Sequence, residues 1–227
     1  MFDSFPKQRP ELPEKIRAIY EKQYKQNREG GSAASSVSQK LESWLHKMVA
    51  ADVDKIHSFA TLEIGAGTLN HLQYEQSSEY DIVEPFLSLF EDSERLKYIR
   101  NVYDDIADIQ EVAVYDRIIS IATFEHVLNL PEVVEKSKKL LKEDGVLRVS
   151  IPNEGSFLWT LGWRLTTGLE FAIKYRANYA HMMRNGHVNN AQEIEDVLKY
   201  YFNTIKVKYF GLGPVFSLYR FYECRNK

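Results

Sequence analysis

Gly65 and Gly67 stand directly after a short β-prone run in Thr61-Leu62-Glu63-Ile64-Gly65-Ala66-Gly67-Thr68-Leu69-Asn70, and an acidic residue, Glu84, ends the next apolar run. Glycines let a backbone turn sharply and leave no side chain between it and a bound molecule. A carboxylate about 20 residues further on is placed to accept hydrogen bonds from both hydroxyls of a ribose. Together these features predict a nucleoside-containing cofactor. A pyrophosphate site wants a third glycine in Gly-x-Gly-x-x-Gly, and Asn70 occupies that position. Glu63, inside the first strand, also argues against a diphosphate and for a cationic or zwitterionic ligand.

A second set of residues could move protons, because histidine titrates near neutrality. His126, in Phe124-Glu125-His126-Val127, follows the fourth predicted strand at its carboxyl edge, where open α/β sheets bind ligands. His187, in Asn185-Gly186-His187-Val188-Asn189, ends an aromatic insert, and His181 lies within that insert. His187 and His126 are the candidate general bases, able to take a proton from a hydroxyl of a substrate. The alternative for each is a hydrogen-bonded histidine with no catalytic duty. No run of His and carboxylates has metal-ligand spacing, so no metal is expected.

From Glu154 to His187 the insert carries Phe157, Trp159, Trp163, Phe171, Tyr175 and Tyr179, with Arg164, Lys174, Arg176 and Arg184 against only Glu154 and Glu170. It is locally basic on a chain of net charge −3. One reading is a lid over an anionic acceptor, with aromatic faces for a sugar and Arg for phosphate or carboxylate. Arg164, Tyr175, Arg176, Tyr179 and His181 are its candidate acceptor-binding residues. Docking on an anionic membrane surface, or an added core layer or homodimer contact, are the other readings.

These residues need a scaffold, and the pattern supplies one. Residues 14–26 read as a helix with Ile16, Ile19 and Tyr20 on one face, followed by a small polar loop, NREGGSAASSVS. Ser36 and Gln39 have capping-box spacing for a helix bearing Leu41, Trp44, Leu45, Met48 and Val49 on one face. Strands are expected at Thr61–Ile64, Tyr80–Val83, Lys97–Val102, Arg117–Ile121 and Val146–Ile151. A helix starts at Pro131 and stops near Gly145. After the insert come a helix over Ala191–Tyr201 and two β runs, Thr204–Phe210 and Ser217–Cys224. Their link is too short for a parallel crossover, so they must pair antiparallel. Such alternation predicts a parallel sheet with helices on both faces. Residues 1–58 are expected to form an N-terminal region of helices and a loop, and residues 59–227 the core, with a helical insert at about 156–186.

Composition narrows the function. The chain has 227 residues, no global basic footprint for nucleic acid and one cysteine, Cys224, which excludes an internal disulfide and fits a reducing compartment. Its start is polar and proline-broken, unlike a signal peptide, and no apolar run approaches the ~18 residues of a membrane span. A cytoplasmic protein is expected.

Several segments, in order, resemble the class I S-adenosylmethionine-dependent methyltransferases: LEIGAGTLN, YDIVEP, NVYDDI, YDRIISIATFEHV and LKEDGVLRVSIPN, from Thr61 to Asn153. The closing strand pair is also similar to that family's sheet ending. The resemblance implies a Rossmann-like α/β fold, a seven-stranded, mostly parallel sheet with helices on both faces and an antiparallel C-terminal strand pair. It implies S-adenosyl-L-methionine as cofactor and S-adenosyl-L-homocysteine as product. Glu63, Gly65, Ala66, Gly67 and Thr68 would lie along the methionine part, and Glu84, followed by Pro85, at the ribose hydroxyls. Asp104, Asp105 and Ile106 would hold the adenine, with Ala122 and Thr123 as the floor beneath the sulfonium. The family's usual third glycine is replaced by Leu69.

Tyr20, Tyr24, Asn27 and Arg28 precede the glycine-serine loop, a composition suited to a lid. The N-terminal pattern YKQNREGGSAASSVSQKLESWLHKMVA is similar to that of methyltransferases of bacterial surface-polysaccharide biosynthesis. That similarity implies a sugar hydroxyl or amine as acceptor, in lipopolysaccharide or O-antigen assembly. Thr123-Phe124-Glu125-His126 stands where nucleic-acid amino-methyltransferases carry Asn-Pro-Pro-Tyr, so a nucleic-acid substrate is not expected. Another small-molecule or lipid-linked acceptor, a silent cofactor-binding module and a nicotinamide oxidoreductase are the alternatives.

Overall fold

The structure is a computed structural model that describes residues 2–19, 36–55, 59–76 and 79–226. Seven strands form one sheet: β1 (Ala60–Ile64), β2 (Glu79–Val83), β3 (Asn101–Tyr103), β4 (Tyr115–Ile121), β5 (Leu141–Pro152), β6 (Thr204–Leu212) and β7 (Phe216–Arg225). Their order is β3-β2-β1-β4-β5-β7-β6. β1 to β5 run parallel, while β7 pairs antiparallel with both β5 and β6. The expected fold class and its antiparallel ending are both found.

Parallel strands covered on both faces are buried along their length, and all five residues of β1 are buried, Thr61 and Glu63 included. One core layer sets Leu62, Ile118 and Leu147 against Val134 and Leu140 of α3 (Leu130–Leu140) and Ile194, Val197 and Leu198 of α7 (Ala191–Tyr201). The opposite layer sets Ile82, Ile119 and Phe221 against Val49 of α2 (Ser36–Val49). Only residues 14–19 of the first predicted helix, α1, are described. Tyr20, Tyr24, Asn27, Arg28 and most of the serine-rich loop lie outside the described residues. So do the side chains of Ser36 and Gln39, the proposed capping pair.

Two sequence expectations are corrected. The third strand covers only Asn101–Tyr103, because Glu94–Tyr98 forms a 3-10 turn whose N-cap Ser93 accepts the Arg95 N–H, at 3.3 Å. Helix α3 ends at Leu140, not near Gly145. Leu141 turns extended at once (φ −69°, ψ 138°) and starts β5. Gly145 is a strand residue: a β-carbon there would lie 3.1 Å from the Tyr115 carbonyl, where the β4–β5 register slips. Close backbone approach, not helix capping, is what this glycine serves.

Helix α2 is tied to the sheet by buried charge. Arg117 of β4 and Arg148 of β5 both donate to the Val49 carbonyl at the end of α2, at 3.2 and 2.7 Å. These bonds satisfy carbonyls that a helix end leaves orphaned. Arg117 also binds Asp52 and Glu75, while Arg148 binds Glu223.

The insert runs as α4 (Phe157–Trp163), a π turn at Arg164–Gly168 and α5 (Leu169–Tyr175), then α6 (Ala180–Gly186). Phe157, Leu161, Leu165, Leu169 and Ile173, each four residues after the last, are all exposed. No helix among the described residues is long and apolar enough to cross a membrane.

Candidate active site

The strand order reverses between β1 and β4, and ligands of open α/β sheets bind at the carboxyl ends of such a pair. There the chain after β1 turns back on itself: Gly65 (φ +76°) and Gly67 (φ +51°) are both in the left-handed region. The Gly65 N–H donates to the Val83 carbonyl, at 2.8 Å. Leu69, where the family has glycine, is held left-handed as well (φ 61°), with its side chain fully buried. Burial of that side chain offsets a backbone conformation costing ~1–2 kcal/mol for a non-glycine residue. Leu69 therefore keeps the left-handed turn without a glycine.

A cavity of about 560 Å³ opens over this turn, within the range of small-molecule sites. Glu63, Gly65, Ala66, Gly67, Thr68 and Ala122 line it, six of the residues expected at the cofactor. Ala122 is itself left-handed (φ 49°) at the end of β4. A β-carbon on Gly67 would meet nothing within 4 Å, so its missing side chain faces open space.

The other expected cofactor residues do not line this cavity, and of them Glu84 and Thr123 contact the turn. Glu84 is buried; its Oε2 accepts the Gly67 N–H at 2.9 Å and its Oε1 the Phe86 N–H at 3.1 Å. Each oxygen keeps a further lone pair for a hydroxyl. Pro85 and Asp104 are exposed at the ends of β2 and β3. Asp105 caps the turn Ile106–Asp108, accepting the Ala107 N–H at 2.8 Å, and Ile106 is buried beneath it. Asp105 and Ile106 border an adjoining cleft with Val127 and Leu128. Thr123 packs against Gly65.

Electrostatics suit a cationic ligand. Glu63 is buried, accepts the Tyr80 hydroxyl at 2.8 Å, and has its carboxyl pushed up to about 7 by burial. Glu125, also buried on the cavity wall, is raised to about 7 for the same reason. Either can become a carboxylate when a positive group arrives. Glycine clearance, hydroxyl-ready Glu84 and acidic wall all fit S-adenosylmethionine.

At the other side of the cavity His126 and His187 meet edge to face, ring centroids 4.9 Å apart. The 187–189 segment is laced to the turn after β4. The Val188 and Asn189 N–H groups donate to the Glu125 carbonyl at 2.8 and 3.1 Å, and the Asn189 amide to the Phe124 and Val127 carbonyls at 2.8 and 2.7 Å. Arg9 ties the same two backbones together, donating to the carbonyls of Asn185, Gly186 and His126. His187 Nδ1 donates to Glu154 Oε2 at 3.0 Å, and the Trp159 indole lies nearly parallel to its ring. Burial lowers the His126 pKa.

Sequence reasoning missed a further wall. His46 of α2 contacts His71 through their Nδ1 atoms at 2.9 Å, and His71 Nε2 donates to Glu75 Oε1 at 2.7 Å. Burial, then the His71 charge, lowers His46 to about 4. Burial alone would raise Glu75; hydrogen bonds from His71 and Arg117 hold it below its ordinary value instead. His46 and His71 both line the cavity. Nothing in their spacing pointed to a pair, since one lies in the N-terminal helix and the other beyond β1.

The acceptor-side residues expected in the insert do not converge on this cavity. Arg164, Arg176 and Tyr179 line a separate cleft of about 580 Å³, with Arg184 and Trp163. Tyr175 packs on Phe171, ring centroids 4.8 Å apart. His181 is exposed and lines neither space.

A family model described as a methyltransferase domain matches residues 24–201. No curated protein matches the chain. Among solved structures, a SAM-dependent methyltransferase from Thermotoga maritima shares the fold at TM-score 0.56 and 17% identity, over 83% of this chain and 96% of that one. The trans-methyltransferase CalH bound to SAH shares it at TM-score 0.54 and 16% identity, over 86% of this chain and 63% of that one. Phosphoethanolamine N-methyltransferase 2 of Haemonchus contortus, bound to phosphomonomethylethanolamine and SAH, is similar at TM-score 0.55 and 10% identity. There the match covers 81% of this chain and 53% of that one. With the family model spanning most of its length and the glycine turn at the switch point, the chain belongs to the methyltransferase-domain family, the class I enzymes dependent on S-adenosylmethionine.

Proposed function

We propose that this methyltransferase acts on a hydroxyl or amine of a small, anionic, sugar-like acceptor, in the assembly of a bacterial surface polysaccharide. The observation that carries the acceptor side is the pairing of His126 and His187 across the cavity from the Gly65–Gly67 turn. S-adenosylmethionine supplies an electrophilic sulfonium methyl when bound. Glu84 would hold its ribose hydroxyls, Asp104 and Asp105 its adenine edge, and Glu63 would answer its positive charge.

The protein's part is to align the acceptor and keep water out. His187, its Nδ1–H held by Glu154, would offer Nε2 to the acceptor, where it and His126 would make the acceptor a better nucleophile. Trp159 offers a flat face beside them for a sugar ring. The arginine-lined cleft of the insert, separate from the cavity, suits phosphate or carboxylate groups.

A screen of labelled methyl transfer onto nucleotide-sugars and lipid-linked saccharides tests the reading. Transfer to a saccharide is expected, and His187→Ala should lower turnover about 100-fold or more with S-adenosylhomocysteine affinity nearly unchanged. A fully active His187→Ala protein sinks the role of His187. Cofactor binding with no transfer to any acceptor favours a silent binding module. A lipid-linked acceptor is the second reading, favoured by the exposed apolar stripe from Phe157 to Ile173. It predicts faster transfer when the acceptor is presented on vesicles.

A further inference from the structure

We infer that Glu125, His126 and His187 form a binding site for a divalent transition-metal ion in the cavity wall, open to an oxygen or nitrogen of the acceptor. The inference rests on the acceptor-side reading above and says how the two imidazoles act: as ligands. One donor atom from each of the three residues lies within 4.8 Å of the other two.

Each imidazole is oriented for this. His126 Nδ1 donates to the Gly186 carbonyl at 2.9 Å, and His187 Nδ1 donates to Glu154 Oε2 at 3.0 Å. Both partners can only accept, so the protons sit on Nδ1 and each Nε2 keeps its lone pair. A carbonyl or carboxylate on the far nitrogen is the usual support for a metal-binding histidine.

The third donor is an independent observation. Glu125 is 2% exposed, and its Oε2 has no hydrogen-bond partner. A buried carboxylate oxygen without a partner is costly, and an ion between it and the imidazoles would satisfy it. His126 Nε2 lies 3.9 Å from the other oxygen, Oε1, too far for a hydrogen bond and wide enough for an intervening ion. The backbones carrying the three donors are already laced together, so the site is built before any ion arrives.

Two imidazole nitrogens with one carboxylate oxygen suit zinc, cobalt or ferrous iron better than magnesium or calcium, which prefer all-oxygen shells. Three protein ligands leave a coordination position free, as in catalytic zinc sites. All three residues line the cavity.

The test uses the full chain, stripped with chelator and then titrated with Zn²⁺ by calorimetry and with Co²⁺ by visible absorption. One equivalent of Zn²⁺ and ligand-field bands from bound Co²⁺ are expected. Glu125→Gln and His187→Ala should each weaken Zn²⁺ binding at least about tenfold, and Glu154→Ala, which touches no ion, about 10–100-fold through the freed ring. Equal Zn²⁺ affinity in the unmodified chain and these variants overturns the site. Absence of Co²⁺ bands in the unmodified chain overturns it even where a variant fails to fold. Methyl transfer that falls in His187→Ala yet ignores chelation also overturns the ion, while leaving the acceptor-side reading in place. One tightly held Zn²⁺ with no saccharide methylated supports the site and removes the proposed acceptor.

Discussion

Thr123 fills the space that a side chain on Gly65 would need: a β-carbon at residue 65 would stand 2.3 Å from Thr123 Oγ1. Gly65 and Gly67 thus serve different ends. Gly65→Ala should lower stability by ~1–3 kcal/mol from overlap and left-handed strain, and adding Thr123→Ala should restore only part of the loss, because the β-carbon of residue 123 would still stand 2.8 Å away. Gly67→Ala meets no neighbouring atom, so ~1 kcal/mol of backbone strain is its main effect on the fold, while its methyl is expected to crowd the cofactor. Urea unfolding with S-adenosylhomocysteine calorimetry separates the two. A Gly65→Ala protein as stable as the parent would remove the argument.

Glu84 acts on both the turn and the ligand. It accepts the Gly67 N–H and keeps lone pairs free for ribose hydroxyls. Glu84→Ala should therefore weaken S-adenosylhomocysteine binding roughly 10–100-fold, the size of lost hydrogen bonds to a charged group. Calorimetry on the folded variant checks this, and an unchanged dissociation constant would show that the ribose is held elsewhere.

Glu63 predicts a pH dependence. Its folded pKa, about 7, lies above the ordinary value of 4.5 because the carboxyl is buried. The folded chain then holds a proton that the unfolded chain has released. Its contribution to stability is full below about pH 4.5 and is lost as pH rises through about 7. Between pH 5 and 8 the ligand-free protein should lose up to about 3 kcal/mol from this group, a component absent in Glu63→Gln. Denaturant melts of the two proteins at several pH values test it; parallel pH profiles would exclude Glu63 as the source.

The sheet was legible because its signals are local. Helix α7 begins where Asn190 and Glu193 form a capping box, and β6 and β7 pair as their short link requires. The cofactor turn was legible for the same reason, with both glycines and Glu84 close in the chain. The histidine side was not. His126 and His187 meet only because Asn189 and Arg9 bind the end of the insert to the turn after β4. Glu125, a charged residue in a turn, carried no sign of its burial. The 3-10 turn before β3 deceived for a related reason: Leu96 and Ile99 are apolar because they pack against the face of the sheet, not because they extend it.

Arg117 is the other residue whose sequence gave no warning, an arginine in a strand whose side chain is fully buried. It binds Glu75 at 2.8 Å, Asp52 at 3.1 Å and the Val49 carbonyl at 3.2 Å, and so joins α2 to the sheet and to His71 through Glu75. Removing it leaves two carboxylates buried without their main counter-charge. Arg117→Leu should cost about 3–5 kcal/mol, the range for breaking a buried pair on one side. It should also loosen the wall carrying His46, so that cofactor affinity falls in the fraction that remains folded. Urea unfolding at neutral pH gives the first quantity and calorimetry below the transition the second. A loss under 1 kcal/mol would mean that solvent or Arg148 replaces the missing charge, and that the anchoring of α2 rests on apolar packing around Val49 alone.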